Sequence, residues 1–224
     1  MKTSKPNQDT LNLIIRGSMD LGVPVNAEAA RRLCRHLELI RLWSRRVDLT
    51  ALDNLDQMAV LHVVDSLTVF KVLPLGSAGS FLDVGTGAGF PGLVMRIVDP
   101  SIRITLLDRT PGKIVFLKHA AHELGLTGIR FLNVSLGAFT SEPQHPTFDV
   151  VVSRAFSSDP SVIDGFHVLL KDGGSVIRMA GPGSVKASFP LPNLARMGLW
   201  EGNLPSSSGF RRVIKYGRSI LEPE

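Results

Sequence analysis

The stretch Ser80-Phe81-Leu82-Asp83-Val84-Gly85-Thr86-Gly87-Ala88-Gly89-Phe90-Pro91-Gly92 decides the fold of this chain. Its first residues are typical of a buried strand, and the glycines that follow are spaced for a tight turn. Glycine accepts positive φ angles and lets the backbone approach a ligand closely, while Pro91 suits the first turn of a helix. The stretch therefore predicts a strand, a glycine-rich turn that holds a nucleotide-like cofactor, and a helix.

The size and composition of the chain indicate a globular protein. It has 224 residues, of which 44% are hydrophobic, enough for one large core with or without a small appendage. No apolar run approaches the length that crosses a bilayer, and residues 1–9 lack the apolar stretch of a secretory signal. We therefore expect a soluble cytoplasmic protein with no membrane partner. A single cysteine, Cys34, can form neither an internal disulfide nor a cysteine-rich metal site.

Positive charge is concentrated outside the middle of the chain. Lys and Arg number 10 against 8 Asp and Glu in residues 1–78, 8 against 9 in residues 79–177, and 7 against 3 in residues 178–224. A basic excess beside a cofactor core suits a polyanionic partner, of which nucleic acid is the commonest soluble kind. A net charge of +5 is also compatible with ordinary solubility charge.

The residue pattern divides the chain into a helical extension, residues 1–78, and a cofactor-binding domain, residues 79–224. In the extension, Asn26 and either Asp53 or Asn54 are candidate helix N-caps. In the domain, apolar runs at 81–84, 102–107, 129–134, 148–153 and 175–179 alternate with helical stretches near 91–98, 111–125 and 161–171. Strands buried on both faces and joined by helices predict an α/β fold with a doubly wound, mostly parallel sheet. One or two strands of the tail are expected to add antiparallel at an edge, after a loop over 181–192.

Three classes of cofactor site use a glycine turn after a first strand. A Walker A loop is excluded, because Gly112-Lys113 is followed by Ile114 and position 107 is leucine. A dinucleotide fingerprint is formally present over residues 87–92, and Asp108 ends the next strand, where an acid would bind ribose hydroxyls. The spacing of the glycines alone leaves a dinucleotide possible.

Asp83 favours the third class, S-adenosylmethionine. It ends the first strand two residues before Gly85, where we expect its carboxylate to face the ligand. A pyrophosphate would meet a negative charge there, whereas the sulfonium and ammonium groups of S-adenosylmethionine would be attracted. Taken singly, Asp83 can also be a helix cap and Asp108 a turn residue, but two acids around one glycine turn favour the methyl donor.

Several motifs resemble the bacterial small-subunit ribosomal RNA guanine-N7 methyltransferases, the family also called glucose-inhibited division protein B. The likeness extends from about residue 37 to residue 180, and the Phe-Pro-Gly end of the turn and the Ser-Arg-Ala run are its most specific parts. It is carried by Leu42-Trp43-Ser44-Arg45-Arg46-Val47-Asp48-Leu49-Thr50, His62-Val63-Val64-Asp65-Ser66-Leu67, the turn through Gly92, Thr105-Leu106-Leu107-Asp108, Phe116-Leu117 and Ser153-Arg154-Ala155-Phe156.

The resemblance implies a Rossmann-like class I methyltransferase with an N-terminal helical extension. It also implies S-adenosyl-L-methionine as cofactor and 16S ribosomal RNA of the small ribosomal subunit as substrate. The cofactor-binding residues that it implies are Asp83, Gly85, Gly87, Phe90, Asp108, Leu136, Gly137 and Arg154. Leu136 and Gly137 fall where the family has an apolar residue and a glutamate beside the adenine, so the side-chain contact of that glutamate is missing here.

Guanine N7 methylation makes small chemical demands on the protein. The nitrogen has a lone pair and no proton, so no general base is needed, and Arg154 is expected to position the reactants. Motifs for other acceptors are absent, because Ser153-Arg154-Ala155-Phe156 stands where adenine amino-methyltransferases have an Asn/Asp-Pro-Pro motif, and Cys34 lies in the extension.

Basic residues on both sides of the core are the candidates for RNA contacts. They are Arg45, Arg46, Arg211 and Arg212, and we expect the two arginine pairs to flank the cleft opening and bind an RNA loop. The resemblance adds Lys113, because the family has a basic pair after the ribose acid and Gly112-Lys113 keeps one of its charges. His119, His122 and Glu123 lack the spacing of a metal motif, so no metal is expected. We expect the protein to act as a monomer.

Three other functions stay open on the residues alone. An NAD(P)-dependent oxidoreductase would share residues 87–92 and Asp108, but it commonly needs a tyrosine and a lysine near the hydride, and Tyr216 in the tail is the one tyrosine. The second is an RNA-binding protein that has the cofactor fold and no activity. The third is a methyltransferase that acts on another RNA, a small molecule or a protein.

Overall fold

A seven-stranded sheet forms the centre of the computed structural model, which describes residues 7–154, 157, 159–181, 191–207 and 209–219. The sheet has the strand order β3-β2-β1-β4-β5-β7-β6. Its strands are β1 (Gly79–Val84), β2 (Ile102–Leu107), β3 (Ile129–Leu132), β4 (Phe148–Arg154), β5 (Leu170–Ala180), β6 (Leu194–Asn203) and β7 (Phe210–Arg218).

The order of the strands creates a crevice at the carboxyl ends of β1 and β4. Strands β1 to β5 pair in parallel, and the order reverses between β1 and β4. In open α/β sheets such a switch point is where ligands bind. Strand β7 is antiparallel to β5 and to the edge strand β6, so the doubly wound, mostly parallel sheet and the antiparallel tail are both confirmed.

The helices cover both faces of the sheet. They are α1 (Gln8–Asp20), α2 (Ala27–Trp43), α3 (Leu55–Met58), α4 (Asp65–Leu67), α5 (Gly92–Val98), α6 (Pro111–Glu123), α7 (Leu136–Thr140) and α8 (Pro160–Asp164). Side chains alternate along each strand. Phe81 therefore packs with α2, α5 and α6 on one face, while Leu82 packs with Phe139 and Phe166 on the other. None of the helices in the described residues is long and apolar enough to span a membrane.

The N-terminal helices are capped where the sequence predicts. Asn26 accepts from the backbone N–H of Ala29, and Asn54 rather than Asp53 caps α3. After α3 the chain continues as a π-helical turn (Ala59–Val64), α4, and a 3-10 turn (Thr68–Lys71). The hydrophobic cluster on this face contains side chains of both chain parts, Leu37 and Leu93 among them, and the boundary at residue 78 stays a proposal.

Two elements differ from the sequence prediction. Strand β5 begins at Leu170, where a helix was expected to continue, because the helical run ends in a 3-10 turn (Gly165–Leu169). The pair Gly173-Gly174 suggests a break, but it lies inside β5 where the pairing with β4 is irregular. Helix α7 was not predicted, since five residues are too few to show a helical period. Residues 182–190 of the predicted loop and Ala155-Phe156 of the Ser-Arg-Ala-Phe motif lie outside the described residues.

Candidate active site

A cavity of about 330 Å³ opens at the carboxyl ends of β1, β4 and β5. It is bounded by the glycine turn, the helical extension and residues of strands β4, β5 and β7. The lining residues are Leu49, Leu61, His62, Asp65, Gly85, Thr86, Gly87, Ala88, Phe90, Arg154, Met179, Ala180, Gly181 and Arg211. This position is the crevice at which the strand order reverses, so the cavity is the candidate active site.

The glycine turn presents its backbone to this cavity. Gly85, Gly87 and Gly89 have φ angles of 71°, 58° and 97°, which favour glycine over every other residue. The N–H groups of Gly85 and Thr86 donate to Leu107 O at 2.9 and 3.1 Å, so the turn is fixed to the end of β2. A Cβ on Gly87 would meet only Gly85 O, at 4.0 Å. The turn is therefore open on the side where a ligand would lie.

Asp83 supports the turn from beneath. Its side chain is 0% exposed, and its Oδ2 accepts from the Gly92 N–H at 2.9 Å. Burial raises the pKa of Asp83 to about 6, although the Gly92 hydrogen bond and the charge of Arg154 act in the opposite direction. The expectation that this carboxylate faces the ligand needs correction, because strand alternation turns Asp83 toward α5. Asp83 is not on the cavity wall.

Asp108 connects the turn to the beginning of α6. Its Oδ2 accepts from the Gly87 N–H at 3.0 Å, and its Oδ1 accepts from the Thr110 N–H at 2.9 Å. Each carboxylate oxygen has a second lone pair, so both can accept further hydrogen bonds. The side chain lies at the end of β2, next to Gly87, where the sequence places a ribose-binding acid. Its contact with a ribose stays a prediction.

Phe90 is enclosed by aromatic and cationic groups. Its ring centroid lies 5.3 Å from that of His36 and 4.8 Å from that of His62, and the Arg154 Cζ lies 5.1 Å above the ring. Burial lowers the pKa of His36 and of His62 to about 4, so both imidazoles are neutral at pH 7. Nothing in the sequence marks His36 as a site residue, since a histidine among apolar helix residues carries no signal of its neighbours.

Arg154 extends from the end of β4 across the cavity to the helical extension. Its Nη1 lies 3.4 Å from Leu61 O, 3.4 Å from His62 Nδ1 and 3.4 Å from Asp65 Oδ2. Burial lowers the pKa of Arg154, and the carboxylates of Asp65 and Asp83 oppose that shift. A guanidinium stays protonated in proteins, so Arg154 brings a permanent positive charge to the cavity.

Arg211 and Arg212 do not act as the predicted pair. Arg211 lies on the cavity wall, where its Nε donates to Asp65 Oδ1 at 2.8 Å. Arg212 forms an ion pair with Glu201 on β6. Consecutive side chains of a strand point to opposite faces, so only Arg211 faces the cavity. Of the two arginines only Arg211 lines the cavity, and a contact of Arg212 with RNA stays a prediction.

The other predicted RNA contacts lie on the surface beside the cavity. Arg45 and Arg46 are exposed in the turn after α2, and the half-buried Lys113 is in the first turn of α6. The two segments meet, because a Cβ on Gly112 would lie 3.3 Å from Val47 Cγ1. The chain after Arg45 and Arg46 thus contacts the beginning of α6, which contains Lys113, and none of the three cations lines the cavity.

Leu136 and Gly137 begin α7 near the carboxyl end of β3. Ser135 caps the helix by accepting from the Ala138 N–H at 3.2 Å. Leu136 packs against the second hydrophobic cluster, whereas Gly137 is exposed and a Cβ there would meet nothing within 4 Å. The site next to the expected adenine position therefore has free space at Gly137.

Among the residues described, no group of three or more His, Cys, Asp or Glu side chains could hold a metal ion. The sequence alone leaves open whether Asp65 forms hydrogen bonds near the cleft or pins the extension to the core, and we expected the second; in the structure Asp65 is ion-paired with Arg154 and Arg211. The residues that face Asp65 come from β4 and β7, and only the folded topology brings them to it.

The fold and the glycine turn define a class I methyltransferase, a class with a Rossmann-like sheet. Solved structures with this fold include TrmN from Thermus thermophilus, at a TM-score of 0.56 and 20% identity over 79% of this chain and 53% of that chain. A ribosomal protein L11 methylase from Lactobacillus delbrueckii subsp. bulgaricus has a TM-score of 0.52 at 12% identity, over 70% of this chain and 78% of that chain. At these identities the likeness concerns the fold.

Sequence comparison then defines the family. The family model described as GidB, rRNA small subunit methyltransferase G, matches residues 29–187. The chain is 34% identical to Ribosomal RNA small subunit methyltransferase G of Hydrogenovibrio crunogenus over 87% of this chain and 88% of that protein. The protein of that name from Geobacter sp. strain M21 is 32% identical over 95% of this chain and 99% of its own length. The chain belongs to the family of rRNA small subunit methyltransferase G.

Proposed function

We propose that this protein transfers a methyl group from S-adenosyl-L-methionine to N7 of a guanine in 16S ribosomal RNA of the small ribosomal subunit. The observation that carries the proposal is the cavity itself. It joins an open glycine turn to two arginines, Arg154 and Arg211, in a chain of a ribosomal RNA methyltransferase family. A donor site and a cationic acceptor site therefore share one crevice.

The residues around the turn fit the cofactor. Gly85 and Gly87 line the cavity, a Cβ on Gly87 would meet only Gly85 O at 4.0 Å, and the Asp108 carboxylate has lone pairs left to accept from ribose hydroxyls. Phe90 would form an apolar wall, and Leu136 with Gly137 would lie beside the adenine. Asp83 would act through its hydrogen bond to Gly92, which keeps the turn in shape, and through its charge. When bound, S-adenosylmethionine supplies a methyl group activated by the sulfonium.

The protein's own residues have to align the acceptor and exclude water. Guanine N7 has a lone pair and no proton, so a general base is not required. The groups at the cavity agree with this, because His62 is hydrogen-bonded to Thr50 at 2.8 Å and Asp65 faces two guanidinium groups. Arg154 has no acceptor atom, so its role is to hold the reactants in place.

The basic surface outside the cavity supplies the contacts to the RNA backbone. Arg45 and Arg46 are exposed, and Lys113 lies at the beginning of α6, where Gly112 approaches Val47. Contacts of Lys and Arg with phosphate release counterions, so binding should weaken as salt increases. Since one chain contains all the proposed site residues, we propose a monomer that works in the cytoplasm, where ribosomal subunits are made.

Transfer of a labelled methyl group to ribosomal RNA tests the proposal. Purified protein is incubated with methyl-labelled cofactor and, separately, with 16S ribosomal RNA, 30S particles and 70S ribosomes. We expect label in the small-subunit RNA in at least one of these reactions, and no label after 23S RNA is offered alone. Absence of label in all three substrates would contradict the proposal. Tight NADH binding without S-adenosylmethionine binding would contradict the cofactor assignment.

A further inference from the structure

Asp65 joins two arginines that are far apart in the sequence. Its Oδ1 accepts from Arg211 Nε at 2.8 Å, and its Oδ2 lies 3.4 Å from Arg154 Nη1. The sequence separations are 146 and 89 residues. The three side chains all line the cavity at the crevice. One carboxylate of the helical extension thus contacts both cationic side chains that the sheet contributes to the cavity.

The position of Asp65 is set by an irregular helix. The residue follows directly after the π-helical turn at Ala59–Val64, and π-helical turns are frequent at functional sites. The same turn brings Leu61 O and His62 Nδ1 to within 3.4 Å of Arg154 Nη1. Three groups of one short segment therefore surround the Arg154 guanidinium, which rests on the Phe90 ring on its other side.

Packing alone does not explain why a carboxylate is buried at position 65. The residue is 5% exposed, and taking a carboxylate out of water is unfavourable even when it is ion-paired. Burial raises the pKa of Asp65, and the charges of Arg154 and Arg211 oppose the shift. Without the carboxylate, two guanidinium groups would repel each other across the cavity. With it, the cluster has one net positive charge and fixed directions for the N–H groups that Asp65 leaves unused.

We propose that Asp65 is a positioning residue that holds Arg154 and Arg211 in the orientation in which they receive the acceptor nucleotide. This inference rests on the proposed function. Arg211 Nε donates to Asp65 and Nη1 donates to Phe210 O at 3.0 Å, so Arg211 contacts the nucleotide through Nη2 and the second N–H of Nη1. The helical extension therefore takes part in the reaction site, in addition to packing on the core.

The variant Asp65→Asn tests the role, because it keeps the shape of the side chain and removes its charge. Steady-state methyl transfer gives kcat and KM, measured with whichever of 16S RNA, 30S particles and 70S ribosomes accepts the most label. We expect kcat/KM to fall about 10- to 100-fold, mainly through KM, since the asparagine amide keeps an oxygen acceptor for only one arginine, turns an N–H donor toward the other, and forms a charged pair with neither. The matched control is Asp149→Asn, whose carboxylate pairs with Lys171 at the opposite end of β4. It should stay within twofold of the wild type.

A double-mutant cycle separates positioning from structural support. If Asp65 acts through Arg211, then Asp65→Asn should cost much less in the Arg211→Gln background than in the wild type. Equal costs in the two backgrounds would overturn the inference. A lowered melting temperature with unchanged kcat and KM for Asp65→Asn would overturn it as well, because a purely structural role predicts that pattern.

A second variant and the activity of the wild type keep the test decisive. Should Asp65→Asn fail to fold, Arg211→Lys tests the same geometry, because lysine keeps the charge but lacks the Nε that Asp65 binds; an unchanged KM would then refute the inference. Failure of the proposed function appears differently. In that case the wild type itself transfers no methyl group to ribosomal RNA, whereas failure of the inference leaves an active wild type and an equally active Asp65→Asn.

Discussion

The cavity has two walls of different origin. The glycine turn is built from consecutive residues, 83–92, and its properties are those of the backbone: positive φ angles and close contacts of main-chain atoms. The other wall is the cluster of Asp65, Arg154 and Arg211, whose members come from a helix and two strands and which meets the turn where Arg154 lies over the Phe90 ring. A local wall can be predicted from residue types and spacing, whereas the arginine cluster exists only after the sheet has formed.

The two walls should respond differently to substitution. In the turn, an added atom collides with main chain or with packed side chains, so stability is affected first. In the cluster, exchange of one charged group leaves the packing intact and changes how the acceptor is held.

The largest effect is expected for Gly92→Ala. A Cβ at this position would lie 2.6 Å from both Asp83 Oδ2 and Leu106 Cδ2, so the beginning of α5 has to move away from β1 and β2. We expect a loss of about 3 kcal/mol in the free energy of unfolding, at the upper end for overpacked sites. Urea denaturation measures it. Gly137→Ala is the matched control, because its Cβ meets nothing within 4 Å. Equal stability of the two variants would refute the close packing.

Asp108→Asn should weaken the cofactor without unfolding the protein. The variant removes the charge that accepts from Gly87 and Thr110 and that we expect to accept from the ribose. Hydrogen bonds to charged groups contribute about 1.5 to 3 kcal/mol, so the dissociation constant of S-adenosylmethionine should rise about 10- to 100-fold. Isothermal titration calorimetry measures it, with Asp149→Asn as control. An unchanged dissociation constant would remove Asp108 from the cofactor site.

His36, which packs against Phe90 of the turn, should make the free energy of unfolding sensitive to acid. Its pKa is lowered to about 4 in the folded chain, so between pH 6.5 and 4 the unfolded chain binds the additional proton and stability falls as pH falls. His62 acts in the same direction, and Asp83, with a pKa raised to about 6, acts in the opposite one.

The variant His36→Leu isolates that contribution. From pH 6.5 to pH 5 we expect it to lose about 2 kcal/mol less of its unfolding free energy than the wild type loses, since one pKa unit corresponds to about 1.4 kcal/mol. Urea denaturation at the two pH values gives the difference. An identical pH dependence of wild type and variant would contradict burial of a neutral imidazole.

The smallest effects are expected for the two neighbouring arginines of β7, which should differ from each other. Arg211→Gln should raise KM for the RNA about tenfold, because a charged hydrogen-bond donor is lost at the cavity. Arg212→Gln should change it less than twofold, because Arg212 is on the other face of the strand with Glu201. Steady-state kinetics at one fixed salt concentration compare them. Equal changes in KM for the two variants would mean that Arg211 and Arg212 act as a pair, although their side chains point to opposite faces of β7.

Much of the local wall could be predicted from the sequence. The glycine spacing, the strand before it and Asp108 after β2 all fell where the structure has them, because turns and strand ends depend on nearby residues. The direction of Asp83 could not be predicted, since the carboxylate at a strand end can face a ligand or a helix. The packing of α5 against that face of β1 decides it.

Only part of the arginine cluster could be predicted from the sequence. Arg154 and Arg211 were identified as site residues, the first from the resemblance and the second from charge. Their common partner Asp65 was missed, because it depends on the phase of the π-helical turn and on the insertion of β7 beside β5. Neither feature has a sequence signal that a single chain reveals.

The position of the transferred methyl group tests the central claim most directly. Small-subunit RNA treated with this protein and S-adenosylmethionine is reduced with borohydride and cleaved with aniline, which breaks the chain at N7-methylguanine. The proposal predicts cleavage at one guanine of 16S RNA, dependent on both protein and cofactor. Label in the RNA without such cleavage, with the methyl group on an exocyclic amine or a carbon, would contradict it.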